Sequence, residues 1–370
     1  MGMNKAHLAA PALFLANLLL LQLLPIVVSV PITASSKTSK LDTWIEKNMK
    51  EYKLTSSLGQ ALIQSDDNSD DNKVIKVRKD GSGDFSTIFD AVESVPSGNT
   101  DRVIIWIGGG TYTEMVKIDK SKPFITFYGE EGDTPKISFD GTAQEYGTWD
   151  CATVAVNSDN FMAVNIEFVN SNPAPDPRRN DQQAVALRIS GDMAAFYNCR
   201  FIGYQDTLCD DVGKHYFKNC YIQGTVDFIF GNGRSLYSDT TINSVAKGLG
   251  TITAQGRNSN DDDSGFSFVH CKITGTGDTY LGRAWRQMPR VVFAYTEMGS
   301  LIDKEGWSDS TATSQSKDGM YYGEYQCTGP GASSSGRVKY AKILSDEEAQ
   351  PFLSTSFIQG SEWLQNPPSL

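Results

Sequence analysis

A cassette of six residues recurs along this chain, and its spacing leaves few folds open. Phe196-Tyr-Asn-Cys199-Arg-Phe201 returns as Phe217-Lys-Asn-Cys220-Tyr-Ile222, Tyr237-Ser-Asp-Thr240-Thr-Ile242, Phe268-Val-His-Cys271-Lys-Ile273 and Phe293-Ala-Tyr-Thr296-Glu-Met298, at offsets of 21, 20, 31 and 25 residues. Each copy keeps an aromatic residue, a small or thiol residue three places on, and a large apolar residue two beyond that. One strand-length unit per repeat, with loops absorbing the variation, marks a solenoid in which each turn buries its face against the next. Ala152-Thr-Val-Ala-Val156 and Val164-Asn-Ile-Glu-Phe168 have the same β-branched and aromatic character. Amphipathic helical segments of about 10 to 15 residues do not alternate with them, which argues against βαβ layering. The expected architecture is all-β, a parallel β-helix. Adjacent parallel strands lie about 4.8 Å apart, so equivalent positions form ladders of like residues, and Cys199, Cys220 and Cys271 fall on one ladder.

At 370 residues the chain exceeds the usual size of a single core, but a solenoid grows along one axis and escapes that limit. The expected organisation is a signal peptide over 1–30, a polar leader over 31–73 and one β-helix domain over 74–370. Lys5 precedes an acid-free apolar run from Leu8 to Val30, with small residues around Ser29 and Ala34 that suit cleavage. The alternative is an uncleaved anchor, since roughly 20 apolar residues can span a bilayer; Pro25 interrupts the run and no basic stop-transfer cluster follows it. The leader carries an amphipathic pattern (Leu41, Trp44, Ile45, Met49, Tyr52) and then the acidic stretch Ser65-Asp-Asp-Asn-Ser-Asp-Asp-Asn72, whose composition suits a linker. Phe85 to Val95 repeats apolar residues at three and four and stops at Pro96, a pattern for a helix capping the solenoid. A second helix signal opens at Ser345, in a segment expected to pack back along the side.

The net charge of −11 becomes −12 once Lys5 leaves with the signal. An acidic chain with no basic stripe does not suit nucleic acid. Six cysteines are few for this length, and three in one hydrophobic register read as a buried thiol ladder, although stacked neighbours are close enough to bridge. Cys151, Cys209 and Cys327 have no assignment from the sequence. The chain contains no Asn-x-Ser/Thr sequon, no Gly-x-Ser-x-Gly, no His-Glu-x-x-His and no Cys-x-x-Cys, which argues against N-glycosylation, a serine triad and structural zinc. His270 holds the place of Asn198 and Asn219 in the repeat, so it reads as a ladder residue.

What stands out is a polar set inside apolar cassettes: Gln183, Gln205, Asp206, Asp227 and Arg283. Asp206 and Asp227 share the 21-residue register, so the fold is expected to stack them. With their surroundings they give Gly110-Thr-Tyr-Thr-Glu114, Gln183-Ala-Val-Ala-Leu-Arg188, Gln205-Asp-Thr-Leu208, Asp227-Phe-Ile-Phe-Gly231 and Leu281-Gly-Arg-Ala-Trp285. In that order, from about Val74 to Leu364, the chain resembles the plant pectin methylesterases, in the form without an inhibitor-like pro-region. The resemblance implies a right-handed parallel β-helix that hydrolyses galacturonate methyl esters in pectin outside the cell, at the cell wall. It implies no cofactor and no metal, a monomer, no membrane attachment after signal removal, and proteinaceous inhibitors as possible partners. Carried over by motif, Asp227 is the nucleophile, Asp206 the general acid and then base, Gln183 and Gln205 the oxyanion donors, Arg283 the group orienting Asp227, and Trp285 a wall for the sugar. Two departures stand in the motifs: Ala284 where Pro is usual, expected to loosen the loop carrying Arg283 and Trp285, and Cys209 where an aromatic is usual.

The chemistry suits that set. Two carboxylates about 5 Å apart at an effective dielectric near 20 repel by roughly 3 kcal/mol, enough to separate their titrations by about two pKa units. One stays ionised to attack while the other keeps a proton for the leaving methoxide. A polygalacturonase or lyase on the same scaffold, or a silent wall-binding protein, is the competing reading. Product carboxylates repel an acidic protein unless a local basic rim, with Arg178, Arg179, Arg188 or Arg257 as candidates, overrules its net charge.

Overall fold

The repeated cassettes form one wall of a coil. In the computed structural model, which describes residues 73–130, 132–176, 178, 180–308 and 319–364, strands Ala194–Tyr197, Lys214–Lys218, Arg234–Ser238, Gly265–Val269 and Arg290–Ala294 pair in parallel, in order. Their register places Phe196, Phe217, Tyr237, Phe268 and Phe293 opposite one another. The rings stack with centroids 4.8, 4.5, 4.5 and 4.5 Å apart, close to the spacing of the strands that carry them. The signal-peptide reading, and the leader up to Asn72 with its amphipathic pattern, lie outside the described residues.

These strands belong to an 11-stranded sheet. The remaining strands form a 14-stranded sheet that covers the other two faces, because Thr241–Gln255 and Lys272–Ala284 run continuously from one face to the next. Every strand pairing among the described residues is parallel, so the fold is the parallel β-helix expected from the repeat.

The corner after the aromatic strand turns on a single residue in the left-handed region. Asn165, Asn198, Asn219, Asp239, His270, Tyr295 and Gln326 occupy it in successive coils, with φ between 46° and 56°. Asn and Asp tolerate that region best, through local side-chain hydrogen bonds, and Asn198 Nδ2 donates to Asn165 Oδ1 at 2.7 Å. His270 stacks on Tyr295 at 4.9 Å, a ladder residue as expected.

One place beyond this corner the ladder reads Cys199, Cys220, Thr240, Cys271, Thr296 and Cys327, since the residues that follow them pair rung by rung. Cys327 thereby acquires a position that the spacing alone did not give it. All six cysteines are free thiols. Burial pushes Cys199 and Cys271 up to about 12 and Cys327 up to about 11, so these thiols are packing groups rather than nucleophiles.

The first turns are capped, and the C-terminal segment lies along the side, as the two helix signals suggested. Helix Ile88–Glu93 is capped by Thr87 and buries Ile88, Ala91 and Val92 against the first turns. At the other end Ser345 and Glu348 form a capping box, and the segment packs back along the first sheet, where Ser267 Oγ donates to the Phe352 carbonyl at 2.7 Å. A polar cluster lies sealed inside the coil: His215 Nδ1 meets Asp210 Oδ1 at 2.5 Å, His215 Nε2 the Gly191 carbonyl at 2.9 Å, and Tyr237 Oη donates to Asp210 Oδ2.

Candidate active site

Successive strands of the larger sheet place one outward-facing residue per coil: Ala155, Arg188, Cys209, Phe230, Ala254, Arg283 and Ser308 are register partners in sequence. Unlike the aromatic stack, this line never repeats a residue on neighbouring rungs. Asp206 and Asp227 stand just before it, each at the start of its coil's strand and each in the left-handed region, with φ of 62° and 51°. For a residue with a Cβ this conformation is uncommon and clusters at functional sites. The Asp206 N–H donates to the Val226 carbonyl at 3.1 Å, which fixes the two aspartates on adjacent rungs as the 21-residue offset requires.

Arg283 reaches Asp227 across an intervening rung. Its Nε donates to Asp227 Oδ1 at 2.8 Å and Oδ2 at 3.0 Å, and Nη2 to Oδ2 at 2.5 Å. The rung between carries Ala254, small enough to let the guanidinium pass. The fork orients one carboxylate and fixes it as an ion pair. Asp206 has a different environment. Burial pushes its carboxyl well above the ordinary carboxylate range, the charge of Asp227 adds to the rise, and Arg283 only partly counters it. The site therefore presents an oriented carboxylate beside a carboxyl group whose protonated form burial favours.

A cavity of about 340 Å³ opens over this pair. Gln183, Gln205, Asp206, Asp227, Arg283 and Trp285 all line it, so the structure brings together the six residues named from the motifs, while the candidate rim arginines Arg178, Arg188 and Arg257 do not line it. The Gln183 Oε1 is buried without a hydrogen-bond partner, so that end of the amide is not committed to holding the fold. Trp285 is 43% exposed and packs edge-on against Phe230 at 6.0 Å. Ala284 is buried and pairs with Gln255, so Arg283 stands on a strand that runs to Ala284 rather than on a loop.

Sequence reasoning passed over the apolar floor, made by Cys209, Phe230 and Ala254, and the second indole, Trp149, which is 50% exposed at the rim. The floor was legible in principle, because its members share one register; Trp149 sits in a loop outside any repeat. Arg188, offered above as a rim cation, is buried: it donates to the Trp149 carbonyl, Asn157 Oδ1 and Ser190 Oγ, with its guanidinium 4.4 Å from the Trp149 ring. It props the tryptophan rather than facing solvent. Among the described residues, no group of three or more His, Cys, Asp and Glu is arranged to hold a metal ion.

A family model described as Pectinesterase matches residues 74–361. This chain belongs to the pectinesterase family. Pectinesterase 2 of Olea europaea is 45% identical over 350 residues, 93% of this chain and 94% of that protein. Among solved structures, the pectin methylesterase from carrot aligns with a TM-score of 0.74 at 36% identity, covering 81% of this chain and 97% of that one. A pectin methylesterase in complex with a hexasaccharide aligns at 0.67 and 26% identity, covering 79% and 98%. The protein is accordingly a carboxylic ester hydrolase of the pectin-demethylating class, and the glycosidic-cleavage and silent-binder readings give way to it.

Proposed function

We propose that this pectinesterase removes methyl groups from homogalacturonan by covalent catalysis at Asp227, with Asp206 as the proton carrier. The observation that carries the assignment is the asymmetry of the pair: Arg283 forks onto Asp227, while Asp206 is pushed upward by burial and by its neighbour's charge. Asp227 attacks the ester carbonyl carbon, and the negative charge passes to the carbonyl oxygen. Gln183 and Gln205 offer neutral amide donors to that oxyanion without quenching the acid beside it. As the C–O bond to methoxide breaks, Asp206 delivers its proton and methanol leaves, with an anhydride joining Asp227 to the uronate. Asp206, now a carboxylate, takes a proton from a water that attacks this anhydride. The second break frees Asp227 as a carboxylate and the product as its acid, which releases its proton to solvent, and Asp206 again holds a proton. Trp285 and Trp149 flank the cavity as faces for sugar rings.

These steps use side chains only, so a chelator leaves the rate on a short methylated oligomer unchanged. We further assign residues 1–30 as a signal peptide, 31–73 as a leader and 74–370 as the catalytic domain of a monomer secreted to the cell wall, where proteinaceous inhibitors are its expected protein partners. The deciding measurement is product analysis on methylated oligogalacturonate. Methanol with neither new reducing ends nor unsaturated products is expected. Asp227→Asn should abolish methanol release yet still bind the oligomer, and turnover near the parent rate in that variant would end the assignment.

A further inference from the structure

A second cavity, of about 740 Å³, shares no lining residue with the catalytic one. It begins where the loop bearing Trp285 ends: Arg257 Nη1 donates to the Met288 carbonyl at 3.1 Å, and Arg290 follows two residues on. Four cations line it, Arg257, Arg290, Lys339 and Lys342, against two carboxylates, Glu347 and Glu348. In a chain of net charge −11 this is a local reversal of sign.

The two arginines are weakly neutralised. Arg257 is only 6% exposed, and its donors end on the Asp262, Met288 and Asn260 carbonyls and on Asn260 Oδ1, none of them a carboxylate. Arg290 donates to the Ser264 carbonyl at 2.7 Å and meets Asp263 at 3.3 Å, an acid it shares with Arg234. Burial lowers Arg290 below the usual guanidinium range and the like charge of Arg257 adds to the fall. Lys339 and Lys342 are exposed, and neither has an ion-pair partner among the described residues. Lys342 rests 4.8 Å from the centre of the Tyr321 ring, and Tyr340 also lines the groove. Glu348 is engaged in its helix cap, accepting from the Ser345 N–H at 3.0 Å.

We infer that this groove binds a stretch of unesterified polygalacturonate, the product of the enzyme's own reaction. The volume lies in the range of about 300 to 1,000 Å³ typical of ligand sites. Cations in partial low dielectric answer the uronate carboxylates, and tyrosine faces answer the apolar faces of the sugar rings. The inference rests on the pectin reading and extends it, because each turnover replaces a neutral ester by a charge that the groove attracts while the rest of the protein repels it. A chain already partly demethylated is thereby held for further turnovers.

The test uses the full protein, an unesterified galacturonate oligomer as binding probe, and the double variant Lys339→Glu/Lys342→Glu. Titration calorimetry at low salt should show at least a tenfold loss of affinity in the variant, and binding to the parent that weakens as salt rises. Methanol release from a short fully methylated oligomer, which carries no charge for the groove, should stay within twofold. Equal oligomer binding by parent and variant would overturn the inference. So would affinity lost on Trp285→Ala instead, which would put the oligomer in the catalytic cleft, or equal affinity for a polyglutamate of the same charge, which would make the groove a mere ion exchanger. Lys339→Gln/Lys342→Gln, a gentler change, should show the same direction if the glutamates disturb folding. Absence of methanol release from the parent would instead count against the catalytic reading and leave the binding result standing.

Discussion

The coil carries two ladders that obey opposite rules. Inside, Phe196, Phe217, Tyr237, Phe268 and Phe293 place an aromatic ring on five successive rungs. Outside, Cys209, Phe230, Ala254 and Arg283 change at each rung, with Asp206 and Asp227 beside them. Stacked rings are buried on both sides by their own kind, so sameness there is what packing favours. A catalytic face needs an acid, an anion, a cation and a gap at different points. The same backbone repeat delivers each to a fixed place, because only side chains vary. Stability should therefore reside mainly in the ladder that repeats and activity in the one that does not.

Replacing Asp227 by Ala tests the comparison most strongly. Loss of the nucleophile should cost on the order of 10⁴-fold or more in methanol release, with the cooperative melt retained. Asp206→Asn should cost about 10²- to 10⁴-fold and move stability the other way. The folded-state pKa of Asp206 is raised well above the ordinary carboxylate range, first by burial, so the folded protein favours a proton that the unfolded chain releases, and stability falls as pH rises from about 4 through that raised value. Asn removes this penalty, and its melting midpoint at pH 7 should equal or exceed the parent's; a lower one would show that Asp206 supports the fold.

Phe217→Ala inverts the pattern. Deleting a ring stacked on both sides should cost about 3–5 kcal/mol of stability, read from denaturant midpoints, while the folded fraction turns over at nearly the parent rate. Ala254→Leu sits between the two. It fills the rung that Arg283 must cross, and a misplaced fork should lower kcat about 10- to 100-fold with a small change in midpoint. Unchanged kcat there would show that the gap is not needed. The smallest effect is expected from reducing agent: the ladder thiols are free, so the melting curve with and without dithiothreitol should coincide.

The sealed Asp210–His215 pair sharpens the same contrast through pH. Burial alone would lower the His215 pKa, but the charge and hydrogen bond of Asp210 outweigh it and the net shift is upward. The stability this pair contributes is present below the unfolded value near 6.5 and is lost as pH rises through the raised folded value. Melts of His215→Gln and the parent should converge at high pH, whereas the offset of Phe217→Ala, which removes no titrating group, should persist.

The repeat made the fold legible because a solenoid turn is a local unit. An aromatic, a corner Asn and a small residue at fixed spacing dictate one strand, one bend and one stacking partner, and the register needs no distant information. The aspartate pair was legible for the same reason, since 21 residues is one coil. Arg283 lies 56 residues from Asp227, across loops of unequal length, and its role came from motif likeness rather than from spacing; only folding shows that it passes over Ala254 to get there. Trp149, the buried prop Arg188 and the basic groove depend on loops and on the C-terminal segment folding back, contacts that no periodicity encodes. The chain's own pattern of residues thus determined the coil, its ladders and the stacking of two carboxylates, because each follows from neighbours one turn apart. The tertiary structure decided which carboxylate is held by the guanidinium fork, in which one burial favours the protonated form, and where positive charge gathers, because those depend on burial and on distances between segments far apart in the chain.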